Sequence, residues 1–542
     1  MILFTEYIEQ SLKKHWEYKA LNDYQGQTLL YKDVAEQIKK IHNLFETLNI
    51  HSDDKIAQIG KNNSNWATVF LSIISYGTVS VPLMQDFPAG DIENTVNHSD
   101  AVLLFISDYI FETLDVEKFP NIRGFISLDS LEVLYAKDEK VPEALLKCMN
   151  AKLDLKAENF ALQKFEHNKL ATISYTSGTS GLSKGVMLSH GNYAANIEFG
   201  FEVMLFKIGD PIVSFLPLAH AYGLAFEFLV EFMQGCQITF LGKIPSPQVI
   251  LQAFKDIKPR LVILVPLIIE KIYNKKVKPA ITSGLPKILL GIPLLKKVVH
   301  NKVKKQLEDT FGGNFIEVII GGAALNKEVE SFLKTIGFRY SVGYGMTECA
   351  PLISFSNWDK AKKFSCGTPI PQCEVKIDSP DPEHVEGEIM VKGLQVMMGY
   401  YKNQKATDEC FEDGWLKTGD LGTKGADGFI TIKGRSKNMI LGASGQNIYP
   451  EEIEARINSM SYVAESLVIE KQGRLHALIF PDIEKFEQDG VKPANIKAEL
   501  EKGQKELNKQ MPKYMGVSSV EIQEEEFIKT PKKNIKRYLY VN

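Results

Sequence analysis

YTSGTSGLSKG, residues Tyr175–Gly185, lies between an apolar run (Leu170–Ile173) and VMLSHGN, which reads as a strand passing into a helix start. Glycine, serine and threonine fill most of the stretch, with one lysine next to its end. Read plainly, such a composition makes a polar turn. It also makes a loop rich in N–H and hydroxyl donors that can wrap phosphate oxygens, with Lys184 supplying the charge. Thr176, Ser177, Gly178, Thr179, Ser180 and Gly181 are the candidate cradle residues. Spacing excludes better-known motifs. A Walker loop needs GxxxxGK[ST], but Lys184 precedes Gly185 and Ser183 stands where the second glycine belongs. The GYG of Gly343–Gly345 has Glu348 where a dinucleotide loop needs its third glycine.

Outward from the loop, short apolar runs bounded by Gly and Pro recur and read as buried parallel strands: Ile212–Leu216, Leu261–Val265 and Val318–Ile320. Helical periodicity, as in Asp33–Leu48, separates them, so an α/β architecture of layered sheets is expected. After about residue 366, Val375–Ile377 and Glu388–Val391 predict a small β-rich portion. Beyond Gly434 the chain reads as a compact α+β unit: a helix from near Pro450, a hairpin (Glu465–Ile469, turn at Gly473, Leu475–Phe480) and a charged helix over 494–510. A chain of 542 residues exceeds one hydrophobic core, and the expected domains are 1–434 and 435–542.

The net charge of −4 offers no whole-protein field for nucleic acid, so no nucleic-acid partner is expected. Six scattered cysteines without a CxxC pair argue against a disulfide framework or zinc site and fit a reducing cytoplasm. MILFTEYIEQSLKKHW lacks the apolar core of a signal peptide, and Leu261–Ile269 is far short of the roughly 20 apolar residues that span a membrane. Lys287–Lys305 is basic and amphipathic. It reads as a solvated helix face, or as a peripheral contact with anionic membrane.

YTSGTSGLSKGVMLSH closely resembles the signature of the AMP-forming adenylating superfamily of acyl-CoA synthetases, luciferases and peptide-synthetase adenylation domains. Further motifs follow in that family's order. Gly321, Gly322 and Ala323 stand where its backbone approaches adenine. In GYGMTE (Gly343–Glu348) the resemblance implies that Tyr344 stacks on adenine, Thr347 bonds the α-phosphate and Glu348 holds Mg²⁺, a hard cation suited to a carboxylate. In GWLKTGDL it puts Asp420 on the ribose hydroxyls, with Arg435 as a second ribose contact and Lys437 as the pivot of a mobile C-terminal domain. GQNIYPEEIE, beginning at Gly445, resembles the segment lining the pantetheine tunnel of CoA-forming members.

VPLIIEKIY (Val265–Tyr273) and SGQNIYPEEIE look most like the long-chain fatty acyl branch, and Ala221–Phe232 is apolar apart from Glu227 and Glu231. His220, in the segment bordering the acyl pocket of relatives, reads as structural. The resemblance therefore implies a long-chain fatty acid–CoA ligase using ATP, Mg²⁺ and coenzyme A, with an acyl carrier protein as the alternative thiol acceptor. A nucleotide-binding relative impaired in adenylation is the further alternative. The tail departs from the branch pattern TPTxKxKR: it reads TPKKNIKR (Thr530–Arg537), which sets Asn534 at the swinging catalytic lysine's position. A one-residue register shift makes Lys533 the candidate, while in an extended strand Lys532 shares the Asn534 face.

Overall fold

The computed structural model describes residues 1–176, 184–242, 247–282, 289, 292–441, 446–530 and 535–541. Its largest sheet has eight strands. In spatial order they are Gly399–Tyr400, Lys184–Ser189, Leu170–Thr176, Val79–Leu83, Lys55–Ile59, Ala101–Ile106, Gly124–Ser127 and Val133–Ala136. The middle strands run parallel, Lys55–Ile59 pairing with both Val79–Leu83 and Ala101–Ile106. Every residue of Val79–Leu83 is buried, the pattern of a strand covered on both faces. A covering helix, Ser64–Tyr76, starts where the Asn63 side chain accepts the Trp66 N–H at 2.7 Å and stops at Gly77, whose φ of 93° an L side chain rarely adopts.

Two further sheets use the apolar runs read from sequence. Pro211–Ser214 pairs in parallel with Gln237–Phe240, and Val262–Leu264, Val318–Ile320 and Tyr340–Val342 form a parallel three-stranded sheet. The first two runs are shorter than read. The amides of Phe215 and Leu216 leave the ladder and donate to the Glu227 carboxylate instead. A five-stranded antiparallel sheet containing Cys373–Asp378, Gly387–Gly393 and Trp415–Lys424 is the expected β-rich portion.

The mixed α/β chain closes with a smaller α+β domain. Val463–Lys471, Arg474–Pro481 and Val517–Ile522 form its sheet, and Pro450–Ile457 and Ile496–Lys509 its main helices. Ile453, Val468, Ile479 and Leu500 belong to an apolar core of its own, separate from the large core that runs from Phe4 to Ile430. Within the basic segment, helix Pro293–Thr310 turns Val299, Val303 and Leu307 inward and leaves Leu295 and Val298 exposed among lysines. No described helix is long and apolar enough to cross a membrane. The six cysteines are free.

Candidate active site

The described ends of the Tyr175–Gly185 stretch lie in two paired strands. Leu170–Thr176 and Lys184–Ser189 pair antiparallel, and Thr176 lies opposite Lys184. Ser177, Gly178, Thr179, Ser180 and Gly181 lie outside the described residues. The facing ends of the two strands are braced. Tyr175 Oη lies 2.8 Å from His98 Nδ1, and the Tyr401 N–H donates to the Gly185 carbonyl at 2.8 Å. Tyr401 Oη in turn donates to Asp100 at 2.9 Å, and Lys402 pairs with the same carboxylate.

Gly321, Gly322 and Ala323 follow the strand Val318–Ile320, with Gly322 at a φ of 84°. A Cβ on Gly321 would stand 3.0 Å from the Tyr222 hydroxyl and ring. The glycine thus admits an aromatic side chain beneath this segment, a packing reason beside the ligand-approach reason read from sequence.

Tyr344 and Asp420 meet: Tyr344 Oη donates to Asp420 Oδ2 at 2.7 Å, while Arg435 Nε lies 2.7 Å from Oδ1. The partners come together because Trp415–Lys424 and Ile430–Arg435 pair antiparallel with Asp420 directly opposite Arg435. Burial pushes the Asp420 carboxyl above its ordinary value, and the Arg435 guanidinium pulls it part of the way back. Burial likewise raises the Tyr344 phenol, which therefore stays a donor.

Glu348 follows the buried Thr347 in a short 3₁₀ turn, and its Oε1 accepts from Tyr400 Oη at 2.9 Å. Lys184 Nζ stands 4.6 Å from the centroid of the same Tyr400 ring. Among the described residues no group of three or more His, Cys, Asp or Glu side chains is set to hold a metal. The Glu348 carboxylate, which lines the cleft described next, nevertheless fits Mg²⁺, which keeps several waters and takes one or two carboxylates plus substrate phosphates.

These side chains share one cleft of 3620 Å³, lined by Thr176, Lys184, Gly322, Ala323, Tyr344, Thr347, Glu348, Asp420, Arg435 and Lys437. Thr530 and Ile535, which flank the undescribed part of the tail, line it too. Gly445, Lys532, Lys533 and Asn534 lie outside the described residues. His220 lines the cleft and caps the helix Ala221–Leu224, its Nδ1 accepting the Tyr222 N–H at 3.2 Å. Glu227 and Glu231, the two exceptions in the apolar segment, are fully buried. Glu227 receives the two amides described above, whereas neither Glu231 oxygen has a hydrogen-bond partner.

A profile described as "AMP-binding enzyme" matches residues 8–401, well over half of the 542. The chain belongs to the AMP-binding enzyme family. A relative of this AMP-binding enzyme is the long-chain-fatty-acid–CoA ligase FadD15 of Mycobacterium bovis, 29% identical across 86% of this chain and 79% of the relative. Another is the chloroplastic long-chain-fatty-acid–[acyl-carrier-protein] ligase AEE15 of Arabidopsis thaliana, 26% identical across 87% and 74%. The solved o-succinylbenzoate CoA synthetase of Bacillus subtilis, in complex with ATP and magnesium ion, superposes with a TM-score of 0.76 over 98% of both chains. At 21% identity that likeness establishes a shared fold.

Sequence reading passed over Tyr400. Its signal was slight, an aromatic doublet after Gly399, and only strand pairing brings it beside Lys184 and Glu348. Asn326 was missed too: its Nδ2 donates to the Ala455 carbonyl at 2.8 Å, joining the large domain of this AMP-binding enzyme to the helix Pro450–Ile457.

Proposed function

We propose that this AMP-binding enzyme activates a long-chain fatty acid with ATP to the acyl-adenylate and passes the acyl group to coenzyme A, releasing AMP and pyrophosphate. The observation that carries the reading is the convergence of Lys184, Thr347, Glu348 and the Tyr344–Asp420–Arg435 group on one cleft. The named activities of the mycobacterial and plant relatives support it.

In this reading Lys184 and the loop Thr176–Gly181 hold the β- and γ-phosphates, and Thr347 bonds the α-phosphate. Gly321, Gly322, Ala323 and Tyr344 flank adenine, and Asp420 with Arg435 holds the ribose. A carboxylate accepts both ribose hydroxyls, and Asp420, already orienting its oxygens between two donors, is suited to that exchange. Glu348 would hold Mg²⁺, which when bound neutralises phosphate charge. The protein's contribution to attack by the fatty carboxylate is positioning and charge complementarity.

The domains divide at 434/435 and the smaller one swings about Lys437, so that Gly445 and its neighbours line the thiol path. Lys533 supplies the cation of the first step in place of the lysine that Asn534 displaces. Pyrophosphate exchange with Lys532→Ala, Lys533→Ala and Asn534→Lys tests that assignment, and it is wrong if Lys533→Ala leaves exchange unchanged. The AEE15 relative keeps an acyl carrier protein as the second reading of the acceptor.

The enzyme acts in the cytoplasm, with Leu295 and Val298 among the lysines of Pro293–Thr310 as a peripheral membrane contact. Flotation with anionic and neutral vesicles tests the contact, and the absence of salt-sensitive binding rejects it. The decisive experiment for the activity is pyrophosphate release across fatty acids of graded length, with CoA, with carrier protein and with neither. No release with any acid refutes the reading.

A further inference from the structure

Lys184 and Glu348 carry opposite charges into one cleft, yet no ion pair within 4.0 Å joins them. Tyr400 stands between. Its strand, Gly399–Tyr400, pairs antiparallel with Lys184–Ser189 so that Tyr400 lies opposite Val186. Lys184, two residues from Val186, is then the diagonal neighbour on the same face, within reach of a large ring. The ammonium sits 4.6 Å from the ring centroid, an attractive contact with the negative π face. At the other end of the ring the hydroxyl donates to Glu348 Oε1 at 2.9 Å.

Tyr400 is itself held in place. Its N–H donates to Thr407 Oγ1 at 2.9 Å, and the Met397 N–H, three residues earlier, donates to the Glu348 carbonyl at 2.8 Å. Gly399 has a φ of 137°, and a Cβ there would lie 2.8 Å from Thr407 Cγ2, so the backbone before the tyrosine has little freedom.

A flexible lysine and a carboxylate facing a common space attract, and once paired each would have to be separated before phosphate or metal could bind. We infer that Tyr400 is a positioning residue that keeps the phosphate-binding cation and the metal-binding carboxylate apart and presented. Its ring holds Lys184 and its hydroxyl orients Glu348. The inference rests on the ATP and Mg²⁺ reading proposed above, but it makes a separate claim: one side chain couples the two charges.

The test is equilibrium ATP binding by calorimetry on the full chain, in EDTA and in excess Mg²⁺, without fatty acid. Tyr400→Phe keeps the ring and deletes the hydroxyl. It should leave binding in EDTA within about twofold of wild type and reduce the enhancement by Mg²⁺ about tenfold or more, by loss of the contact that orients the carboxylate. Tyr400→Leu deletes both contacts and should also weaken binding in EDTA. Electron paramagnetic resonance of Mn²⁺ with ATP gives an independent reading of the metal, and Tyr400→Phe should lower the bound fraction. Two results overturn the inference: an unchanged Mg²⁺ enhancement in Tyr400→Phe, or equal losses with and without metal in that variant. Wild-type protein that binds no ATP in either condition instead defeats the nucleotide reading itself.

Discussion

Removing the Glu454 carboxylate should loosen the C-terminal domain selectively. Arg537 donates from Nη2 to both oxygens of Glu454, at 2.7 and 2.8 Å, and from Nη1 to the Val468 carbonyl at 2.7 Å. The Val468 N–H donates to Glu454 Oε1 at 2.6 Å. The cluster ties helix Pro450–Ile457, the sheet and the tail into one unit. Burial raises the Glu454 carboxyl above its ordinary value and Arg537 only partly offsets this, so the pair is not a large net gain over apolar packing. Breaking it is another matter. Glu454→Ala strands the Arg537 charge and orphans the amide of the fully buried Val468. Loss of one partner of a buried pair costs about 3–5 kcal/mol. Arg537 keeps 18% of its side-chain exposure, which favours the lower edge. About 3 kcal/mol corresponds to roughly 150-fold in the opening equilibrium. Native-state amide exchange should show protection at Leu467–Ile469 falling by about that factor, while the Val79–Leu83 strand of the large core is unaffected. Glu454→Gln, which keeps an acceptor for Val468, should lose less. Exchange within threefold of wild type in Glu454→Ala, or an equal loss in both cores, would refute the reasoning.

Lys184→Ala should lower kcat/KM for ATP by about 10²–10³, the usual effect of losing one preorganised charged donor, and pyrophosphate exchange measures it; a change below threefold rejects the phosphate role. Asp420→Asn retains an acceptor for Tyr344 and removes a buried charge whose carboxyl sits above its ordinary value, so thermal stability at pH 7 should hold or rise while nucleotide affinity falls at least tenfold. A fall in both together would make Asp420 a structural residue. Glu231 has its carboxyl raised by burial from the usual 4.5 to about 8. A raised carboxyl favours the protonated native state, so the stability it contributes is full below 4.5 and is lost as pH rises toward 8. Urea denaturation between pH 5 and 9 should show Glu231→Gln gaining on wild type through that window, and parallel profiles would contradict this.

How much of this was legible beforehand differs by residue. The runs Val318–Ile320 and Val375–Ile377 announced their strands because burial on both faces, or alternation across one, is written directly in residue type. The hairpin around Gly473 was equally plain, since a φ of 73° there asks for glycine. Ends were less legible. Ile212–Leu216 reads as one apolar run, but Glu227, eleven residues beyond Leu216, takes the last two amides and stops the ladder at Ser214.

By itself, then, the sequence determined which local segments bear the chemistry, because a hydroxyl-rich glycine loop, a lone lysine and a carboxylate carry their donor sets with them. Tertiary structure alone decided which of them meet. Asp420 faces Arg435 through strand register, and Tyr400 separates Lys184 from Glu348 through pairing between strands more than two hundred residues apart. Glu454 reaches Arg537 across a whole domain. Such contacts depend on chain crossings whose geometry is fixed by burial of distant apolar faces, and no short window of residues contains that information.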